Sequence, residues 1–367
     1  MRGRLITIGK RMVGEGRPTF IIAEAGVNHN GKLSLARKLI DAAARAGADA
    51  IKFQTFSPDE LVTRTAEKAV YQKANKKDSK NPSPSQIRVL PLRNEESQHA
   101  MLKKLVLKRE DHSALKSYAE KKGLIFLSTP FSLSNALFLK KLGVPAIKVS
   151  SGDANNIPFL ARIAKWKLPI LFSTGMSDMR EIKESVTVLR EAGNKKIIAL
   201  QCTTNYPTPF EEANLRVIET LRTKLGLLVG FSDHTLGDEA ALASVALGAV
   251  LIEKHLTLDK RLSGPDHKTS LEPQEFKVFV ERIRNVEKAL GTGKKTPFRS
   301  ETEIAKVARK SVATLLAVRK GEVLTEKNLG VKRPGTGLPP KYYDEIIGKH
   351  ATRELSADTL LERSDVE

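Results

Sequence analysis

Short β-branched runs alternate with longer amphipathic segments eight times along this chain, and that alternation restricts its fold more than any other feature. The runs are "FIIAEA" from residue 20, "DAIKFQ" from 49, "LIFLST" from 124, "AIKVSS" from 146, "PILFST" from 169, "IIALQC" from 197, "LLVGFS" from 227 and "AVLIEK" from 249. Between them lie helical patterns such as "SLARKLIDAAARAGA", "ALFLKKLG", "MREIKESVTVLREAG" and "EAALASVALGA", several ending in a glycine suited to a left-handed cap. Eight such units in about 290 residues predict a (β/α)8 barrel. A doubly wound open sheet is the structural alternative.

A barrel of this kind carries its active site at the C-terminal ends of the strands, and every run here ends polar. The first supplies Glu24, the second Lys52 and Gln54, the third Ser128 and Thr129, and the fourth Lys148, Ser150 and Ser151. The remaining four supply Ser173 and Thr174, Gln201 and Thr203, Ser232 and His234, and Glu253, Lys254 and His255. Strand side chains alternate faces, so Lys52 and Gln54, Lys148 and Ser150, Ser232 and His234, and Glu253 and His255 are expected to point the same way in pairs. Two lysines among hydroxyls suit a phosphate and a carboxylate, unless each is merely neutralised by an acidic neighbour. His234 and His255, at the ends of adjacent strands, are close enough to share a metal ion. With oxygen neighbours and no thiolate cluster, Mn²⁺ or Mg²⁺ is favoured over a structural zinc.

Composition removes other classes. The chain has 367 residues, 40% hydrophobic and 28% charged, as in an ordinary globular protein. No window reaches the roughly 18 apolar residues of a membrane span, and "MRGRLITIGKRMVGEGRP" lacks the apolar core of a secretion signal, so a cytoplasmic location is expected, with no membrane partner. Cys202 is the only cysteine, and no intrachain disulfide can form. The net charge of +20 raises nucleic-acid binding as a rival function, yet lysine and arginine are spread along the chain without aromatic interleaving. No nucleic-acid partner is expected. The densest basic stretch, "KANKKDSKNPSPSQ" at 73–86, reads as a mobile loop. His29 and His267 fall in the loop sequences "NHNG" and "GPDHK", as turn residues or site wall. "GTGKKT" at 291–296 lacks the spacing of a phosphate loop and reads as linker.

In order along the chain, "FIIAEAGVNHNG", "ADAIKFQTF", "FLSTPF", "KVSSGDANN", "STGM", "CTTNYPTP", "GFSDHT", "EKHLTLDK" and "GPDHKTSLEP" resemble the sialic acid synthase family. The tail "ARKSVATLLAVRKGEVLTEKNLGVKRPGTGLPP" resembles the antifreeze-like SAF domain, a small β-rich β-clip fold. The resemblance implies a TIM barrel over residues 1–290, a linker over 291–305 and an SAF domain over 306–367. It implies condensation of phosphoenolpyruvate with an N-acetylated mannose-type sugar to a sialic acid and phosphate, as in N-acetylneuraminate synthase. An N,N'-diacetyllegionaminate synthase using 2,4-diacetamido-2,4,6-trideoxymannose is the alternative. A Schiff-base aldolase using Lys148, or a basic anion-binding protein, is more distant.

Carried onto this sequence, the resemblance implies that Lys52, Thr129, Lys148, Ser151 and Ser232 hold phosphoenolpyruvate, and that His234 and His255 ligate the divalent ion. Glu24 and Asp153 would be the acid-base carboxylates, Asp153 standing where many bacterial members have glutamate. Gln54, Tyr206 and Asp266 would face the sugar, and Arg333 would reach its N-acyl group from the SAF domain of a partner subunit in a homodimer.

Overall fold

The computed structural model describes residues 4–69, 72 and 97–367; the basic stretch at 73–86 lies outside them. The chain divides into two compact units, Met1–Gly291 and Thr292–Glu367.

The first unit opens with a hairpin, β1 (Leu5–Ile8) and β2 (Arg11–Gly14), turned by Gly9 at φ 56°. Eight strands follow: β3 (Phe20–Gly26), β4 (Ala50–Thr55), β5 (Ile125–Pro130), β6 (Ile147–Val149), β7 (Ile170–Ser173), β8 (Ile197–Cys202), β9 (Leu228–Asp233) and β10 (Leu251–His255). All their pairings are parallel, in the order β5-β4-β3-β10-β9-β8-β7-β6, so the first and last strands of the series, β3 and β10, are hydrogen-bonded neighbours. That pairing distinguishes a nearly closed (β/α)8 barrel from an open doubly wound sheet; only β5 and β6 lack a hydrogen-bonded ladder between them.

The four quoted helical patterns all form helices, at 33–46, 133–142, 179–191 and 239–246. In α1 (Leu33–Ala46), Ala36, Leu39, Ile40 and Ala43 make one buried stripe, and Gly47, at φ 81°, caps it by donating to Ala43 and Ala44. After β4 the chain forms the short α2 (Pro58–Leu61) and α3 (Gln98–Lys103), then α4 (Arg109–Lys121). Next come α5 (Leu133–Leu142), α6 (Ile157–Ala164), α7 (Met179–Glu191), α8 (Val217–Leu225), α9 (Glu239–Ala246) and α10 (Pro273–Leu290). Asp178 begins α7 with a reciprocal capping box to Glu181.

The strands have two apolar faces. Ile21, Ile51, Phe53, Phe126, Ile147, Phe172, Phe231 and Ile252 join the helices in one core. Phe20, Ile22, Ala50, Leu127, Ala146, Leu171, Ile198, Leu228 and Leu251 fill the barrel interior. The hairpin contributes Ile8 and Val13 to this interior cluster. Period-two alternation then carries the interior face upward from Ile22 to Glu24, Ala50 to Lys52, Ala146 to Lys148, Leu171 to Ser173, and Leu251 to Glu253 and His255.

The second unit begins with α11 (Arg299–Ala308), so part of the stretch expected as linker is helical. Strands β11 (Ser311–Thr314) and β12 (Leu329–Lys332) pair antiparallel, joined by isolated bridges such as Ala313 to Leu360 and Val318 to Leu355. Val312, Val318, Leu324, Leu329, Ala351, Leu355 and Leu361 form its separate core, and a short helix, α12 (Tyr343–Ile346), packs beside it. This is the small β-rich SAF fold expected of the tail.

Candidate active site

At the C-terminal ends of the barrel strands lies a cavity of about 570 Å³. Twelve of the thirteen residues singled out from the sequence line it: Glu24, Lys52, Gln54, Thr129, Lys148, Ser151, Asp153, Tyr206, Ser232, His234, His255 and Asp266. Arg333 belongs to the second unit, just after β12.

Strand register builds the floor. Glu24 stands between Lys52 on β4 and His255 on β10, and Ser232 on β9 is paired with Glu253. Lys52 Nζ lies 2.7 Å from Glu24 Oε2 and 3.5 Å from Glu253 Oε2, and donates to Thr129 Oγ1 at 2.9 Å. Lys148 Nζ donates to Ser173 Oγ at 2.7 Å and sits 3.8 Å from Glu253 Oε1, which also accepts from Ser232 at 2.9 Å. Glu253 is thus the hub of both lysines. The sequence placed it beside His255 on the inner face without giving it a role; its position two residues before a candidate ligand was the available signal.

These groups are all buried, and their charges settle unequally. Burial is the strongest influence on Glu24 and pushes its pKa up to about 7, against the pull of Lys52. Burial also opposes ionisation of Glu253, but Lys148 and Lys52 together outweigh it and hold Glu253 down to about 2. Lys148 is lowered by burial, while in Lys52 the two carboxylates overcome the same effect and raise the pKa. Near neutrality Glu24 is only partly ionised, so the carboxylates balance the two lysines incompletely and the floor favours an anionic ligand.

The histidines lie 5.6 Å apart between ring centres. His234 Nδ1 donates to Thr203 O at 2.8 Å, which leaves Nε2 as acceptor for the Tyr206 hydroxyl at 2.8 Å. His255 Nδ1 is buried without a hydrogen-bond partner, 4.0 Å from Asp266 Oδ2. Burial, with His234 and Lys52 nearby, keeps the His255 pKa well below its ordinary value, so the ring is a neutral donor. Burial pushes Asp266 up to about 6. Among the described residues no group of three or more His, Cys, Asp or Glu side chains could cage a metal ion. Two imidazoles at adjacent strand ends, His255 with an unused buried nitrogen, fit an ion bound with most of its coordination open to substrate and water.

Backbone close approaches hold the rest. Gly175 donates to Ser151 Oγ at 3.2 Å, and a Cβ there would fall 2.2 Å from Thr204 Oγ1 and 2.7 Å from Ser151 Oγ. Gly26, at φ 51°, faces Asp266, Glu24 and His255. Asp153 accepts from Ser150 at 2.9 Å and Asn156 at 3.1 Å. Asn28 donates to Leu256 O and Ser270 Oγ, tying the loop after β3 to that after β10. His29 and His267 are buried turn residues outside the cavity, His29 accepting from Gly31 and His267 bonded to Thr257. Lys254 points to the other strand face, ion-paired with Asp233 at 2.7 Å.

Residues 39–295 match the NeuB family and residues 309–367 match the SAF domain. The chain is 44% identical to N,N'-diacetyllegionaminic acid synthase of Campylobacter jejuni, covering 94% of this chain and 99% of the relative. It is 42% identical to the protein of the same name from Legionella pneumophila, over 95% of this chain and 94% of the relative. The crystal structure of N-acetylneuraminic acid (sialic acid) synthetase from Leptospira borgpetersenii, in complex with citrate, superposes with a TM-score of 0.69 at 35% identity. That match covers 82% of this chain and 95% of the other.

Proposed function

Because the chain belongs to the NeuB family, we propose that it joins phosphoenolpyruvate to the open-chain aldehyde of an N-acylated mannose-type sugar, giving a nine-carbon 2-keto acid and phosphate. What supports this most is the charge imbalance at the barrel mouth, where Lys52 and Lys148 share one strongly ionised carboxylate, Glu253. A buried cationic floor needs an anion, and phosphoenolpyruvate brings a phosphate and a carboxylate.

In this reading Lys52, Lys148, Ser151, Ser232 and Thr129 hold phosphoenolpyruvate, while Gln54, Tyr206 and Asp266 face the sugar. His234 and His255 would hold a divalent ion, Mn²⁺ or Mg²⁺, which when bound supplies Lewis-acid polarisation of the carbonyl oxygen. C3 of phosphoenolpyruvate forms the new bond to the aldehyde carbon, whose oxygen takes up a proton. Water adds to the cationic C2 and gives up a proton; the bond from C2 to the bridging oxygen then breaks as the C2 hydroxyl passes its proton to the departing phosphate and becomes the ketone. One proton is needed and one is released. Glu24, with a pKa of about 7, gives the first and takes the second. Asp153, held by Ser150 and Asn156, is the second acid-base carboxylate. The proposal includes a cytoplasmic homodimer in which Arg333 of one subunit serves the N-acyl group in the barrel of the other.

N-acetylneuraminate, from N-acetylmannosamine, and N,N'-diacetyllegionaminate, from 2,4-diacetamido-2,4,6-trideoxymannose, are the two products considered. Phosphate release should require phosphoenolpyruvate, sugar and divalent ion together; release without sugar would sink the reading. Lys148, lowered by burial, is the one group that favours a Schiff-base aldolase. Borohydride trapping with pyruvate separates the two, and a trapped adduct on Lys148 would favour the aldolase.

A further inference from the structure

Lys254 lies between Glu253 and His255 in sequence, yet its side chain is not among those lining the cavity. Phe231 and Ile252 face the helices, so period-two alternation turns Asp233 and Lys254 to that same outer face, behind Ser232, His234, Glu253 and His255. The two are register partners at the last rung of the ladder between β9 and β10. Both side chains are almost wholly buried, Lys254 1% and Asp233 0% exposed. Lys254 Nζ donates to Asp233 Oδ2 at 2.7 Å and to Thr235 O at 2.6 Å.

Strand β9 ends at Asp233, so His234 and Thr235 lie beyond the ladder, where their backbone groups must find other partners. Asp233 Oδ1 accepts from the Thr235 N–H at 2.9 Å and from its hydroxyl at 2.8 Å, while Lys254 satisfies the Thr235 carbonyl. The His234 carbonyl accepts from Thr208 N at 2.9 Å. The residues on both sides of His234 are thus tied through one ammonium group to the residue that precedes His255. An apolar pair of similar volume would serve stability as well as a buried ion pair does. It could bind neither the carbonyl nor the N–H of Thr235.

We infer that Lys254 and Asp233 are positioning residues: from behind the strands they fix the spacing of His234 and His255 at which both imidazoles can hold one divalent ion. The inference rests on the metal reading proposed above and goes beyond it by making the ion's affinity depend on a pair that faces away from the cavity.

Binding of Mn²⁺ to the full chain is followed by loss of the free-ion electron paramagnetic resonance signal, and binding of phosphoenolpyruvate without metal by calorimetry. Lys254→Met alone leaves Asp233 buried without its cation and lowers the Tm, so Lys254→Met combined with Asp233→Leu, which leaves no unpaired charge, is the deciding variant. At a temperature where circular dichroism shows it folded, it should bind Mn²⁺ about 10- to 100-fold more weakly than the wild type, the range lost when the support of a metal ligand is removed. The Mn²⁺ concentration for half-maximal phosphate release should rise by the same factor. Phosphoenolpyruvate affinity, which rests on Lys52 and Lys148, should stay unchanged. Wild-type Mn²⁺ affinity in the double variant, or equal weakening toward Mn²⁺ and phosphoenolpyruvate, would overturn the inference and leave the metal reading standing. If the wild type binds no Mn²⁺, or if His234→Ala and His255→Ala bind it as the wild type does, the metal reading itself fails, and the inference with it.

Discussion

Glu24 and Glu253 share Lys52, yet they settle at opposite ends of the carboxylate range, about 7 and about 2. The difference is local: Glu253 also has Lys148 and the Ser232 hydroxyl, whereas burial dominates at Glu24. Opposite pH dependences follow. The contribution of Glu24 to stability is present below its ordinary value of 4.5 and is lost as pH rises through about 7. That of Glu253 is present above 4.5 and is lost as pH falls toward about 2. If the neutral Glu24 carboxyl donates the first proton, kcat/KM falls by one proton's titration above about pH 7, and Glu24→Gln removes that limb along with a factor of about 10²–10⁴ in rate. An unaltered limb in the residual activity would assign the titration to another group. Glu253→Gln leaves Lys148 buried without its carboxylate partner, while Lys52 keeps Glu24, and should cost about 3–5 kcal/mol. Phosphoenolpyruvate would then replace the missing charge, so the Tm rise it produces should be larger in the variant than in the wild type; an equal rise would deny Glu253 its bridging position.

At the scale of elements, the barrel was legible because short apolar runs alternate with amphipathic segments eight times along the chain. The run "IIALQC" is β8 to the residue, and "DAIKFQ" and "LIFLST" each shift by one. "AIKVSS" was read too long: β6 is Ile147–Val149, and Ser151–Asp153 forms a 3₁₀ turn that aims Ser151 at Gly175. The hairpin was missed, because its segment was read only as a possible leader, although "LITI" and "RMVG" flank a two-residue Gly-Lys turn. The helix at 299–308 was missed for another reason: it has no buried residues, so no apolar stripe announced it. The hairpin's place in the interior gives a separable prediction. Ile8, fully buried in the interior cluster, should cost about 2–5 kcal/mol when replaced by alanine, measured by urea unfolding. Because it lies near the start of the strands, kcat at a temperature where the variant is folded should stay unchanged. A fall in kcat would tie the hairpin to the active site.

At the scale of the molecule, each unit has its own core, Ile21 to Ile283 in the first and Val312 to Leu361 in the second. A chain ending at Gly291 should therefore remain folded, with its own cooperative transition. If Arg333 serves the sugar, that shortened protein and Arg333→Ala in the full chain should both raise the KM for sugar and leave the KM for phosphoenolpyruvate nearly unchanged. Unchanged sugar affinity in both would remove Arg333 from the site. Breakage of the bond between C2 and the bridging oxygen underlies the whole account. It is tested most directly with phosphoenolpyruvate carrying ¹⁸O in that position, incubated with the enzyme, an N-acylated mannose-type sugar and Mn²⁺. The account predicts a nine-carbon 2-keto acid and one equivalent of phosphate, with the label in the phosphate. Label retained in the acid, or phosphate released at the same rate without sugar, would contradict it.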